Sequence, residues 1–209
     1  MELYTYYRSS AAYRVRIALN LKGIAHRLVP VDLLAGEHHS DSYKAIQPQG
    51  FVPALKTERG DYISQSTAIL EYLEAQYPQP PLLPADSYAA ATVRSWASII
   101  ACDIHPLNNL RVLKYLTGEL QVDEQQKNTW YRHWIETGFT ALESQVRAAP
   151  YCFGEQVTLA DVYLVPQVYN ARRFDTDMTA YPKIEAICAA CNGLPAFDKA
   201  KPESQADAP

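Results

Sequence analysis

Tyr77-Pro78-Gln79-Pro80-Pro81-Leu82-Leu83-Pro84 splits the chain into two stretches of different periodicity. Proline has no amide proton and biases the residue before it away from helix, so this run reads as an extended linker. Upstream of it, strand-like and helix-like segments alternate. Residues 3–7 read as a short aromatic strand. Residues 10–22 follow as a helix, with Val15, Ile17, Ala18, Leu19 and Leu21 near helical spacing. Gly23 stands just past its end, where a left-handed residue is expected. Residues 26–31 read as a second strand and 38–46 as a short helix. Two short strands, 52–55 and 62–64, are joined by a turn containing Gly60 and Asp61. A helix over 66–76 turns Ile69, Leu70, Tyr72 and Leu73 inward. The order is βαβαββα, which predicts an α/β domain over residues 1–80.

Downstream of the linker everything reads helical, which predicts an all-α domain over residues 86–209. Residues 88–120 are expected to form one long helix, bent near Pro106. Residues 123–148 form a second, with Trp130, Trp134, Phe139 and Leu142 along one side. Thr158 opens a third, and Asp161, three residues on, is placed to return the capping bond in a variant of the usual Glu or Gln pattern. Residues 181–191 and 195–199 are the last helices, and the polar tail from Pro202 is expected to fray.

Composition narrows the function classes. Hydrophobic residues make up 48% of the 209 and charged residues 20%, enough apolar content for a core and too much for a disordered chain. No apolar run nears the roughly 18 residues of a membrane span. The start, Met1-Glu2-Leu3-Tyr4, lacks the basic and apolar regions of a secretory signal, so a cytoplasmic protein with reduced thiols is expected. A net charge of −4 does not suit a nucleic-acid surface. Cys188 and Cys191 form a C-x-x-C pair, but in mid-helix rather than at a strand-to-helix junction, which favours a structural role over redox or metal chemistry. No metal-ligand spacing and no phosphate-binding glycine loop is present.

Five stretches carry a resemblance. Ser9-Ser10-Ala11-Ala12-Tyr13-Arg14-Val15-Arg16-Ile17-Ala18-Leu19 resembles the Ser-Ser-Cys-x-Trp-Arg-Val-Arg-Ile-Ala-Leu signature of zeta-class glutathione transferases. Gln47-Pro48-Gln49-Gly50-Phe51-Val52-Pro53-Ala54-Leu55 and Ile63-Ser64-Gln65-Ser66-Thr67-Ala68-Ile69 are similar to the family's glutathione-binding turns. The segments 103–113 and 158–174 complete the set, so the likeness covers almost the whole chain. It implies a thioredoxin-like domain followed by a helical domain, a homodimer, and glutathione as cofactor. The typical activity in this family is isomerisation of maleylacetoacetate to fumarylacetoacetate in aromatic amino-acid catabolism, and some members isomerise maleylpyruvate. A general glutathione-conjugating transferase and a non-catalytic glutathione-binding protein are the readings from other classes. The chain departs from the signature at Ala11, where the family has cysteine, and at Tyr13, where it has tryptophan. Without that cysteine, the resemblance implies that the nucleophilic thiol belongs to glutathione.

The resemblance also implies residue roles. Such an isomerase must generate a thiolate, hold carboxylates and stabilise an enolate. Ser9, with Ser10 and the amide of Ala11, is expected to hold the sulfur at a helix N-terminus, a position where serine also serves as an ordinary cap. A cis Val52-Pro53 bond would leave the Val52 backbone to pair with the cysteinyl backbone of glutathione. Gln65 and Ser66 suit the γ-glutamyl carboxylate, with a cap again the plainer role for Ser66. His38 is a candidate for the glycyl end. Arg8, Arg111 and Arg173 are candidates for a dicarboxylate substrate, since guanidinium matches carboxylate geometry. Arg172 would face elsewhere and form a salt bridge, while Arg14 and Arg16 are expected to be structural, at the domain interface. Asp103, His105, Asn109 and Arg111 share a segment that is expected to border the glutathione site, His105 and Asn109 on one helix face.

Overall fold

A computed structural model describes all residues, 1–209. The contacts divide the chain into two compact units, Met1–Pro81 together with Asn192–Pro209, and Leu82–Cys191.

The first unit is built on β1 (Glu2–Thr5), α1 (Ser10–Leu21), β2 (Arg27–Pro30), α2 (Asp41–Lys44), β3 (Ala54–Lys56), β4 (Tyr62–Ser64) and α3 (Ser66–Gln76). A short 3-10 turn, Glu37–His39, precedes α2. The expected helix over 38–46 is therefore a 3-10 turn and a single α-turn, separated by extended Ser40, whose hydroxyl accepts from the Tyr43 amide. The sheet order is β2-β1-β3-β4. β1 runs parallel to β2 in register Leu3 with Leu28, and antiparallel to β3 in register Leu3 with Leu55. β3 pairs antiparallel with β4, Leu55 with Ile63. Leu3 and Leu55 are fully buried, as are Val15, Ile17, Ala18 and Leu19 on α1 and Ile69 and Leu73 on α3. Gly23 adopts φ +62 after α1, as expected for a residue free of a Cβ clash.

The C-terminal segment joins this unit rather than the helical one. α9 (Pro195–Asp198) packs on α1. Arg16, 1% exposed, donates from Nε to Ala200 O (2.9 Å) and from its Nη atoms to Thr5 Oγ1 and Tyr7 O (2.9 Å each). The Tyr7 amide donates to Asp207 (2.9 Å), and Gln205 is buried with its side-chain amide on Lys199 O and Lys201 O. The tail expected to fray is thus tied down, and the helical domain expected to run to residue 209 gives up its last 18 residues to the first unit. The reason is a buried guanidinium: it needs acceptors, and the carbonyls after α9 supply one. At the other boundary, Lys22 Nζ donates to Tyr77 O (2.6 Å) and Pro80 O (2.9 Å) and pairs with Glu74 (2.7 Å), which fixes the start of the linker.

The second unit holds α4 (Ser87–Ser98), a π-helical turn (Ile99–Ile104), α5 (Leu110–Gly118), α6 (Glu124–Gln145), α7 (Leu159–Arg173) and α8 (Pro182–Asn192). The single bent helix expected over 88–120 is three pieces. His105 N–H donates to Ile100 O (2.9 Å), a π-type bond; Asn109 then turns to extended backbone and caps α5. Pro106 removes the amide that would have continued the ladder. α7 is capped as expected: the Thr158 amide (2.7 Å) and hydroxyl (2.8 Å) both donate to Asp161 Oδ2. The Cys152 amide donates to the other oxygen, Oδ1 (2.8 Å), so the buried carboxylate is well supplied with donors. No helix is long and apolar enough to cross a membrane.

Candidate functional site

The sheet register gathers the sequence-predicted glutathione residues of the first unit. Tyr4 on β1 pairs with Ala54 on β3, and Ala54 pairs with Ser64 on β4. These three form one row across the sheet. Past that row β1 leads to Ser9 and α1, and β4 leads to Gln65 and α3, while Val52 and Pro53 enter β3 from the same end. Two helix N-termini and the Val52-Pro53 bond, which is cis, therefore meet at one end of the sheet. Helix N-termini collect unpaired amide donors and a positive potential, so this end is suited to anions.

Ser9 is the N-cap of α1, and its hydroxyl oxygen accepts from the Ala12 amide (3.2 Å). A hydroxyl that accepts in this way still has its one proton to donate, and the residue is half-buried. Capping and thiolate binding are thus compatible at Ser9. Ser10 is buried in the first turn, and Ala11 follows it, half-buried. Ser66 is buried at the first position of α3. It is not the cap: Gln65 holds that position at φ +70, a strained backbone for a non-glycine residue. Gln65 Nε2 donates to Gln49 Oε1 (2.7 Å), which holds the turn between them. Arg14 Nη1 donates to Ser66 Oγ (3.3 Å). This bond ties α1 to α3 within the first unit, and nothing in the local sequence pattern marks which helix an arginine will meet.

His38 is buried, not solvated, and its ring lies against that of His39 at 3.8 Å between centroids. Gly50, at φ +66, passes so close that a Cβ there would stand 2.7 Å from His38 O. Arg8 lies between β1 and Ser9, half-buried, with its guanidinium over the Tyr7 ring at 5.2 Å and Nη2 within 3.4 Å of the Tyr6 hydroxyl.

The remaining candidates belong to the second unit. Asp103 is exposed on the π-turn and His105 follows it, half-buried. His105 and Asn109 do not share a helix face, because the backbone between them is a turn. Asn109 Oδ1 accepts from the Arg111 amide (3.1 Å), and Arg111 is exposed on the first turn of α5. Arg173 is exposed at the end of α7, over the Phe174 ring at 5.5 Å, and that ring stacks on Tyr131 at 3.6 Å. Arg172 makes the expected salt bridge, to Glu185 at 2.6 Å. The thiols divide plainly. Cys152, Cys188 and Cys191 are buried, and burial pushes all three well above the usual thiol range, so they stay protonated. Cys188 and Cys191 sit inside α8, in keeping with a structural role. Cys102 is exposed on the π-turn.

Residues 3–81 match the family model described as glutathione S-transferase, N-terminal domain, and residues 122–190 match glutathione S-transferase, C-terminal domain. The chain is 49% identical to a maleylpyruvate isomerase of Ralstonia sp., over 99% of both chains. It is 46% identical to a maleylacetoacetate isomerase of Pseudomonas aeruginosa, over 100% of this chain and 99% of that one. A holo structure of a maleylpyruvate isomerase, described as a bacterial zeta-class glutathione S-transferase, superposes with a TM-score of 0.96 at 48% identity over all of both chains. A maleylacetoacetate isomerase from Methylobacterium extorquens, solved with malonate and glutathione bound, superposes with a TM-score of 0.95 at 39% identity, again over both full chains. With both of its domains matched and its likeness unbroken from end to end, the chain belongs to the glutathione S-transferase family, in its zeta class.

Proposed function

We propose that the chain is a glutathione-dependent cis-trans isomerase that converts maleylacetoacetate to fumarylacetoacetate. The observation that carries this reading is the meeting of two serine-bearing helix N-termini at one end of the sheet. It is supported by full-length relatives named for this isomerisation and by the malonate and glutathione bound in one of them. Maleylpyruvate is the second substrate, favoured by the Ralstonia relative and the holo structure. The two substrates share the cis alkene and both carboxylates and differ by a methylene.

Bound glutathione supplies a thiol whose reversible addition to the alkene permits rotation about that bond. The chain's own residues do the rest. Ser9 donates its hydroxyl to the sulfur, and Ser10 and the Ala11 amide add the field of the α1 N-terminus, which favours the thiolate. Val52 pairs through its backbone with the cysteinyl unit. Gln65 and Ser66 hold the γ-glutamyl carboxylate, and His38 serves the glycyl end. Arg8, Arg111 and Arg173 take the substrate carboxylates, while Asp103, His105 and Asn109 border the glutathione. Ala11 puts no protein thiol beside the serine pair, and Cys152, Cys188 and Cys191 are buried and protonated, which supports a nucleophile supplied by the cofactor. The same reading makes the protein a cytoplasmic homodimer.

The test is a paired absorbance assay of freshly prepared maleylacetoacetate and maleylpyruvate, each with and without glutathione. Isomerisation is expected only with glutathione, and faster by kcat/KM for maleylacetoacetate. A higher value for maleylpyruvate assigns that substrate instead. Turnover of neither, alongside fast conjugation of a neutral aryl halide, would replace isomerase by general transferase.

A further inference from the structure

We propose that Asp207, near the C-terminal end of the chain, is a positioning residue for Ser9, acting through the peptide between Tyr6 and Tyr7. The proposal rests on the thiolate role given to Ser9 above and adds the group that fixes its backbone.

The first observation is a chain of hydrogen bonds. β1 ends at Thr5 and α1 starts at Ser10, and the turn from Tyr6 to Ser9 lies between them. The Ser9 amide donates to Tyr6 O (2.9 Å) and closes that turn. The Tyr6 carbonyl and the Tyr7 amide are the two ends of one planar peptide. The Tyr7 amide donates to Asp207 Oδ2 (2.9 Å). Carboxylate, peptide and Ser9 amide are therefore linked in series. A carboxylate on the N–H polarises the peptide and makes its carbonyl a stronger acceptor, because bonds in a chain reinforce one another. It also fixes the plane of the peptide, and with it the approach of Ser9 to the helix.

The second observation is the charge on the other side of the turn. Arg16 Nη1 lies 3.4 Å from Tyr6 O, and Nη2 donates to Tyr7 O (2.9 Å). The guanidinium is 1% exposed, and the oxygens it donates to, on Ala200, Thr5, Tyr6 and Tyr7, are all neutral. Burial works against its charge, and the negative charge of Asp207 works for it. A buried cation needs such an anion. Tyr7 is thus held by a carboxylate at its amide and by a guanidinium at its carbonyl.

The third is the support beneath Asp207. Gln205 is 6% exposed and donates to Lys199 O (2.9 Å) and Lys201 O (2.8 Å). The Ala208 amide donates back to Gln205 O (3.1 Å), so half-buried Asp207 sits inside a closed turn. A 3-10 turn, Pro202–Ser204, leads into it. The tail therefore delivers its carboxylate in a fixed direction, which a positioning role requires.

The test follows the ultraviolet absorbance of the thiolate of enzyme-bound glutathione against pH, in the full chain. The variants are Asp207→Ala, Ser9→Ala and the double variant, each checked for folding by circular dichroism. Asp207→Ala is expected to lower the thiolate fraction at neutral pH about threefold to tenfold, a shift of up to about one pKa unit. The sign is diagnostic. Removing a negative charge favours a thiolate by field alone, so a fall reports lost positioning. In the Ser9→Ala background, Asp207→Ala is expected to add less than about twofold, because both act through one hydroxyl. Asp207→Asn keeps an acceptor for the Tyr7 amide and is expected to fall between wild type and Asp207→Ala. It carries the comparison if Asp207→Ala does not fold. A titration that is unmoved, or moved toward more thiolate, in the folded Asp207 variant overturns the role of Asp207 while leaving Ser9 assigned. So does a full additional loss in the double variant. An unmoved titration in Ser9→Ala overturns the thiolate role of Ser9 and the proposal with it.

Discussion

The Ser9 hydroxyl oxygen accepts from the Ala12 amide as the cap of α1, and on the proposed reading its one proton is donated to the glutathione sulfur. Ser9→Ala should therefore cost both a cap and a thiolate donor. Each pKa unit of lost thiolate stabilisation is about tenfold in thiolate fraction below the pKa. Turnover at neutral pH should fall by about tenfold or more. Because the lost donor raises the pKa of bound glutathione, the rate profile should move to higher pH while glutathione affinity changes little. A pH series of kcat checks this, and an unmoved profile removes the role of Ser9. Arg173 is exposed at the end of α7 and braced by Phe174, itself stacked on Tyr131. Arg173→Ala should raise the KM of the dicarboxylate by the roughly 1.5 to 3 kcal/mol typical of a charged hydrogen bond. A neutral conjugation substrate is the control, and an equal rise there counts against a carboxylate clamp. The serine pair and the arginines were legible as residue types in local motifs. The Arg14–Ser66 bond was not, because it joins residues 52 apart through packing alone.

At the scale of elements, the break between α4 and α5 has a packing partner. Gly138 in α6 faces Ile104 at the end of the π-turn, and a Cβ there would stand 2.3 Å from Ile104 Cδ1. The glycine is a notch that lets the turn approach α6. Gly138→Ala is expected to destabilise the protein by about 1 to 3 kcal/mol, the usual cost of overpacking. In Ile104→Ala the opposing atoms are gone, so the double variant should lose clearly less than the sum of the singles. A chemical-denaturation cycle measures that coupling, and additivity would mean the two residues do not oppose each other. The helix boundaries at Ser10, Ser66 and Thr158 follow from caps and motifs that are local in sequence. The π-turn does not, because a long apolar run with one proline fits a bent helix as well as a broken one. Which occurs depends on what α6 presents to it.

Across the whole molecule, the last residues complete the first unit. Arg16 spends its guanidinium on Ala200 O, Thr5 and Tyr7, and Asp207 accepts from the Tyr7 amide. Deletion of residues 202–209 removes the second of these ties and the clasp of Gln205. It is expected to lower stability by about 1 to 3 kcal/mol, as for buried hydrogen bonds left unmade, and to speed amide exchange at Tyr7. Unchanged thermal unfolding and unchanged exchange would show that the tail only rests on the surface.

By itself the sequence determined the order of elements, the change of character at the prolines, the caps at Ser9 and Thr158, and the motifs that mark the family. These are properties of short windows, where periodicity, proline chemistry and side-chain-to-backbone bonds act over a few residues. Only the tertiary structure decided that Ser66 is not a cap and that Arg14 lies against it, that His105 and Asn109 part company, and that residues 192–209 return to the first unit. Each of these depends on where a buried charge or a close-packed backbone finds its partner. Such partners lie tens of residues or more away along the chain, and no local pattern of apolar and polar residues encodes which one is met.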